Sequence, residues 1–250
     1  MIINLYKVFI FFILFISSLI SKSQISNGLR VGGGLGESIY WGSQMDDKIS
    51  FSTYDKSEAN LGLNIQFYKA LDNKNEIGIR YLNTELWSFK TSNMQAINAK
   101  INEFAVVYQR SLNGNSDLYS NKLKFTHNLV LGLSFIFFKS RAYSIDPSTK
   151  VFKTFSSIGN GVEIDPLVLT RPDSQLALGG VFGYNLGFRL SNSFSIYLEN
   201  TFTLSASNYL HGNLLTKTKL TNNGYTYNAL TLYINLNPNG NRLGCPKIPL

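Results

Sequence analysis

The sequence predicts an all-β fold, an eight-stranded antiparallel up-and-down transmembrane β-barrel preceded by a cleaved signal peptide. Three observations lead to this fold class: an apolar leader, eight segments in which apolar side chains recur at every second position, and connections of alternating length. The composition agrees, because aromatic residues make up 14% of the 250 residues and charged residues only 15%, where about a quarter is usual. Disordered chains have the opposite bias, with few aromatic and many charged residues.

Residues 1–23 are predicted to be a signal peptide. Lys7 supplies a positive charge, an unbroken apolar run follows from Val8 to Ile16, and small and polar residues end the segment at Ser23. This order is typical of a secretory signal. A retained anchor is the alternative, but the apolar core has about 13 residues, fewer than the ~20 that a spanning helix needs. We therefore expect export and cleavage near Ser23.

Strands are predicted wherever apolar side chains alternate with polar or small ones. The eight segments with this pattern are 29–35, 61–67, 77–81, 104–108, 125–137, 176–188, 194–204 and 230–236. An apolar outer face and a polar inner face are typical of a membrane barrel. A lipocalin-like barrel would turn its apolar face inward, and a sandwich would cover it with a second sheet. The length of several segments favours the membrane barrel, because tilted spanning strands need about 9–11 residues.

The connections between these strands are expected to alternate in length. Long segments fall at 37–59, 87–99, 139–175 and 207–223. Shorter connections fall at 71–75, at 113–117 with a few more residues, and at 191–193. Transmembrane barrels combine short periplasmic turns with longer external loops. An even number of strands places both chain ends on one side. We therefore expect residues 24–236 to form a barrel in a bacterial outer membrane, with both termini in the periplasm and a periplasmic tail over 237–250.

Aromatic residues near the ends of the predicted strands are expected at the two membrane interfaces, where amphipathic rings collect. Plain packing of the rings is the alternative. Those assigned to the external interface are Tyr40, Trp41, Trp87, Phe89, Tyr143, Tyr209, Tyr225 and Tyr227, and those assigned to the other interface are Tyr68, Tyr108, Phe125, Phe188 and Phe194.

Five charged residues fall on the inner face of the predicted strands. They are Arg30, Arg80, Glu103, Arg189 and Glu199. Buried charges need partners, so we expect these residues to form a lumen charge network. Because eight strands leave an interior just wide enough for side chains to fill, the network is expected to belong to a solid core. A narrow polar pore is the alternative.

No catalytic, cofactor-binding or metal-binding residue is predicted. His211 lies near Ser205 and Ser207 and could serve a lipid-modifying enzyme as a general base, but a triad requires a geometry that sequence does not show. A solvated loop histidine is the competing interpretation. Nucleic acid is not expected as a partner, because the net charge of +8 comes from scattered basic residues. The single cysteine, Cys245, cannot form an intrachain disulfide.

Together, the leader ending in Ser21, Lys22, Ser23 and Gln24, the alternating strands and the Asn-rich turns resemble the small outer-membrane β-barrel proteins of Bacteroidetes-type bacteria. The architecture over 28–236 is similar to the OmpA transmembrane domain and to OmpX-like barrels. One departure is that 14 residues follow the last predicted strand, whereas many such barrels end on an aromatic residue. The resemblance implies a non-enzymatic structural or surface role, carried by external loops that contact a protein partner, with outer-membrane lipid around the barrel. A component of a secretion or surface complex is one such role.

Overall fold

The computed structural model describes residues 28–42, 60–72, 74–90, 94–113, 124–146, 149, 151–163, 165–191, 193–207, 209–214 and 223–236. The predicted signal peptide, the predicted tail and Cys245 lie outside these residues. Within them, no helix is long and apolar enough to cross a membrane.

The described residues form one sheet of ten strands. The strands are β1 (Leu29–Trp41), β2 (Asn60–Ala70), β3 (Asn75–Lys90), β4 (Gln95–Ser111), β5 (Lys124–Ile145), β6 (Phe152–Ile158), β7 (Leu169–Arg171), β8 (Gln175–Arg189), β9 (Phe194–Ser205) and β10 (Asn223–Asn235). All except β6 and β7 form a closed antiparallel barrel, in which β1 pairs with β10 and β4 pairs with β5. The predicted eight-stranded antiparallel up-and-down barrel is confirmed, whereas the signal peptide placed before it stays a prediction.

The two ends of the barrel differ in their connections. We call the end at which β1 begins and β10 ends the terminus end, and the opposite end the loop end. Two terminus-end turns are closed by side chains, as their sequences suggest. The Asp72 carboxylate accepts hydrogen bonds from the backbone N–H groups of Lys74 (2.7 Å) and Asn75 (2.9 Å), and the Ser191 hydroxyl accepts from that of Phe194 (3.1 Å).

At the loop end, part of the sheet continues beyond the barrel. Strand β6 pairs antiparallel with the last residues of β5, and β7 pairs parallel with β6. The prediction that 139–175 is a loop is therefore wrong at its start, where β5 runs on to Ile145, and incomplete in its middle.

Alternating burial shows which face of each strand is outside. Along β2, Leu61, Leu63, Ile65 and Phe67 are exposed while the positions between them are buried. The same arrangement holds around the barrel, so that leucine, isoleucine and phenylalanine cover the outside and polar side chains occupy the inside. This apolar-outside arrangement is the one that a transmembrane barrel requires, because closure pairs the backbone groups that hydrocarbon could not solvate.

The phase of the pattern reverses toward the loop end. On β3, Ile77 and Ile79 face outward, but farther along the strand Leu82 and Leu86 face inward and are fully buried. The outer positions at this level are polar or aromatic, as with Asn83 and Glu85. The reversal marks where the wall leaves the apolar layer: polar side chains then face water and apolar ones fill the interior.

This reversal explains an error in the predicted connections. Residues 87–99 were expected to form a long loop, but β3 extends to Lys90, β4 begins at Gln95, and residues 91–94 connect them. The connection between β4 and β5, at 112–123, is longer than this one. The expected strict alternation of long and short connections is therefore wrong, and strand pairing carries the fold assignment instead.

Candidate functional site

The terminus end of the interior is built around Arg30. Its Nη2 atom lies 2.5 Å from a carboxylate oxygen of Glu76, and both side chains are buried. The guanidinium carbon lies 4.8, 4.9 and 4.4 Å from the ring centroids of Tyr68, Tyr197 and Tyr233. Cations at these distances are attracted by the π faces of the rings. An ion pair enclosed by three rings thus closes the interior near the chain ends.

A second buried ion pair lies farther inside. Arg80 Nη2 is 2.5 Å from a Glu103 carboxylate oxygen, and the side chains are 2% and 0% exposed. Arg80 Nη1 donates to the Thr201 hydroxyl at 2.9 Å, while Glu103 also accepts from the hydroxyl of Thr203 at 3.0 Å and from that of Tyr225. These additional hydrogen bonds offset part of the desolvation cost of the buried pair, although Arg80 Nε has no partner among the described residues.

Glu199 lies between the two ion pairs and is held by neutral groups. Its carboxylate accepts hydrogen bonds from Gln66 Nε2 (2.6 Å), Asn64 Nδ2 (3.0 Å) and the Tyr233 hydroxyl (2.5 Å). Among the described residues it has no salt-bridge partner. The remaining member of the predicted set, Arg189, is buried at the terminus end, where its Nε donates to the Ser191 carbonyl at 3.0 Å.

The five residues of the predicted lumen charge network are therefore all buried inside the barrel, in different local surroundings. Arg30 and Arg80 belong to separate ion pairs, Glu199 is bound by amides and a phenol, and Arg189 contacts a turn. Glu76, the partner of Arg30, was not in the predicted set. The sequence contained a signal for it, because Glu76 falls on the same inner face.

The loop end of the interior is apolar. Leu82, Leu86, Ile97, Ile101 and Phe138 pack there with other buried side chains from the barrel wall. Ile158 of β6 and Leu210 of the β9–β10 connection belong to the same cluster and are fully buried. The upper interior is therefore filled by the barrel wall together with segments folded over it.

Residues 209–214, here called the lid segment, are fixed to this cluster by hydrogen bonds. The Ser140 hydroxyl donates to the Tyr209 carbonyl at 3.3 Å, and the Leu214 N–H donates to the Ser156 hydroxyl at 3.1 Å. Gly212 has φ of +73°, and a Cβ on it would lie 2.9 Å from the carbonyl carbon of Arg141. Only glycine meets both requirements without strain.

His211 lies within the lid segment and is fully buried, so the expectation of a solvated loop histidine is wrong. Its Nδ1 accepts a hydrogen bond from the Asn213 N–H at 2.9 Å, and Nε2 has no partner among the described residues. Burial lowers the pKa of His211 to about 4, which keeps the ring neutral at physiological pH. In the described part of the chain, no hydroxyl and carboxylate flank the ring as a triad would require.

Several rings predicted for the membrane interface lie inside the barrel instead. That prediction is wrong for Tyr40, Tyr68, Tyr225 and Tyr227, which are at most 1% exposed. Tyr197 and Tyr233 are also buried, and inner glycines make room for such rings: a Cβ on Gly32 would lie 2.4 Å from the ring of its cross-strand partner Tyr233. Other predicted interface rings, including Phe125, Phe188 and Phe194, are exposed at the terminus end.

Comparisons with known proteins add little about function. No protein-family model matches the chain, and no curated protein matches it. Neisserial surface protein A (8% identity, 84% of this chain and 97% of that one, TM-score 0.45) is one similar solved structure. Another is Ail, the attachment invasion locus protein of Yersinia pestis, with 11% identity over 82% of this chain and 96% of that one and a TM-score of 0.41. A third is a major outer membrane protein from Thermus thermophilus, with 10% identity over 83% of this chain and 99% of that one and a TM-score of 0.40. At these scores, nothing about their activities is transferred to this chain.

Proposed function

We propose that this protein is a non-enzymatic barrel of a bacterial outer membrane that acts through its loop-end surface. The observation that supports this most is the filled interior. Two buried ion pairs and the amide-bound Glu199 occupy the lower part, and an apolar cluster beneath the lid segment occupies the upper part. Because described side chains occupy the interior at both levels, we place the interaction role on the outer surface and not in an aqueous path.

The proposed topology has residues 1–23 as a removed signal peptide and 24–236 as the barrel. Both chain ends, with the tail at 237–250, lie on the periplasmic side. The short turns at Asp72 and Ser191 support this orientation, because transmembrane barrels place short turns in the periplasm.

The segment between β6 and β7 is proposed as the contact for a protein partner. Val162 and Leu167 are 78% and 85% exposed there, although neither belongs to a barrel strand. Exposed apolar side chains on a surface loop are candidates for partner contacts. A secretion or surface complex is the kind of assembly in which a small closed barrel would use such a contact.

Orientation is tested by epitope insertion in the full chain expressed in a Gram-negative host. A tag between Asn160 and Gly161 should be labelled by antibody on intact cells, and a matched tag beside Lys74 should be labelled only after the outer membrane is opened. A heat-dependent shift in gel mobility shows that each variant is folded. The reverse labelling pattern would contradict the proposed topology.

The partner contact is tested by cross-linking in the native outer membrane. The double variant V162S/L167S should lose the cross-linked partner while its barrel stays folded, because neither side chain packs in the interior. Val151→Ser, which changes another exposed apolar residue near β6, serves as the matched control. If V162S/L167S retains the partner as well as the wild type does, this segment is not the contact.

A further inference from the structure

Two lysines face each other on the outer wall of the barrel. Lys100 on β4 and Lys139 on β5 are direct cross-strand partners, and both are exposed. Both point outward, because Lys139 continues the outward series of Phe135 and Phe137, while the neighbouring Phe138 is buried. Like charges directly opposite each other destabilise a strand pair. An anion bound beside this arrangement, called here the lysine pair, would offset the repulsion.

The described residues supply one anion beside the pair. Glu85 is the cross-strand neighbour of Lys100 on β3, and the hydrogen bond from the neutral Asn98 Nδ2 at 2.5 Å leaves its negative charge in place. Glu163 is engaged by Arg141 at 3.1 Å. In the part of the chain that the structure describes, neither lysine forms a salt bridge. Glu85 offsets at most one of the two lysine charges, so the pair keeps a net positive charge that faces the surroundings.

The depth of the pair on the wall indicates what those surroundings are. The outer face of β5 is largely apolar from Phe125 to Phe137. At about 3.3 Å per residue and a tilt of 35–45°, this stripe spans roughly 30 Å, about the thickness of a hydrocarbon core. Lys139 lies two residues beyond the stripe, roughly 5 Å farther along the membrane normal by the same rise and tilt. This level is occupied by lipid headgroups.

We propose that the lysine pair binds the phosphate groups of lipid headgroups in the leaflet at the loop end. Each ammonium group offers three hydrogen-bond donors and a full charge, which suits the oxygens of a phosphate. The inference rests on the proposed membrane location. It adds a specific lipid contact on one side of the barrel, made by β4 and β5, to the general contact between the apolar wall and lipid.

The test compares the full chain with K100Q/K139Q and with a matched control, K74Q/K153Q, which removes two exposed lysines elsewhere. Each protein is folded in a nonionic detergent and titrated with diphosphoryl lipid A, and native mass spectrometry measures the bound lipid. K100Q/K139Q should bind about 30-fold more weakly, since each basic side chain near an anionic surface contributes about fivefold. The control should bind like the wild type, and monophosphoryl lipid A should bind the wild type more weakly.

Three results would overturn the proposal. The first is binding by K100Q/K139Q within twofold of the wild type, and the second is an equal loss of affinity in the control. The third is displacement of the lipid by inorganic phosphate that is added at the same concentration as the lipid. That result would indicate a binding site for free phosphate. Heat-modified gel mobility and insertion into vesicles are measured first. A wild type that does not insert contradicts the proposed membrane function itself, whereas insertion without a lysine effect contradicts only the lipid contact.

Discussion

Removing one member of the Arg80–Glu103 pair should strongly destabilise the barrel. Both side chains are almost inaccessible to water, and Arg80 is bound by Glu103 and Thr201. Glu103→Gln leaves the guanidinium without its counter-charge in the interior, and Arg80→Met does the same to the carboxylate. Because the closed wall limits access of water to either charge, relaxation should recover little of the loss.

The expected magnitude follows from this burial. Breaking a buried ion pair by removing one partner typically costs about 3–5 kcal/mol, and we expect each single variant to lose that much free energy of unfolding. The double variant R80M/E103Q should be less destabilised than the sum of the two, by about 1–3 kcal/mol, because it leaves no uncompensated charge. The partly exposed pair formed by Arg141 and Glu163 should contribute at most about 1 kcal/mol.

Urea unfolding of the protein folded into short-chain phosphatidylcholine vesicles measures these differences. The two tryptophans of the chain, Trp41 and Trp87, both lie on barrel strands and report the transition by fluorescence. Glu163→Gln is the matched control, since it removes the same kind of charge from a partly exposed pair. If Glu103→Gln costs no more than Glu163→Gln, or if the two single effects simply add, the pair is not buried as described.

Three further changes probe the outer wall and the lid segment. Asn200 donates a hydrogen bond to Asn228 on the outer wall, beside the outward Leu198 and Leu230 and with Glu37 across the sheet from Asn228. N200L/N228L should raise the free energy of unfolding in lipid by about 1–3 kcal/mol; a lower value would contradict a lipid-facing position. The pKa of His211 is about 4 in the folded protein, below its ordinary value of 6.5, because the buried ring resists protonation. The stability that the neutral ring contributes is therefore fully present above pH 6.5 and is lost as the pH falls toward 4. Hydrogen exchange of 209–214, corrected for intrinsic rates, should therefore be faster at pH 5 than at pH 7, and His211→Leu should remove that difference; equal protection of the wild type at both pH values would refute it. Gly212→Ala should speed proteolysis of the same segment while Gly33→Ala, whose Cβ would meet open space, should not; equal cleavage of both would contradict the packing of the lid segment.

Sequence reasoning found the eight barrel strands because the lipid-facing part of each strand follows the simplest rule, apolar outside and polar inside. It failed where that rule reverses. On β3, the inward Leu82 and Leu86 break the series set by Ile77 and Ile79, so the simple pattern extends only over the predicted strand 77–81. A period-two pattern that changes phase while continuing indicates a strand leaving the apolar layer, and would have predicted the extended β3 and β4.

The interior could be predicted by residue type but not by contact. Alternation identified Arg30 and Arg80 as inward-facing, but their partners depend on register and stagger across several strands. Glu76 lies two strands away from Arg30 in the sheet. The buried tyrosines were misassigned because a ring near a strand end fits both an interface and a packed interior. A glycine at the paired position of the neighbouring strand, as Gly32 is for Tyr233, indicates a ring that points into the barrel.

The most direct test of a closed barrel with lipid outside and a filled interior is a cysteine scan along β5, in a Cys245→Ser background and in lipid vesicles. Single cysteines at positions 129 to 136 are probed with a membrane-soluble thiol reagent and with a water-soluble one. We predict that cysteines replacing Leu129, Leu131, Leu133 and Phe135 react with the membrane-soluble probe. Cysteines replacing Val130, Ser134 and Ile136 should be reached by neither probe. Reaction of the inward positions with the water-soluble reagent, or no alternation at all, would contradict the filled transmembrane barrel.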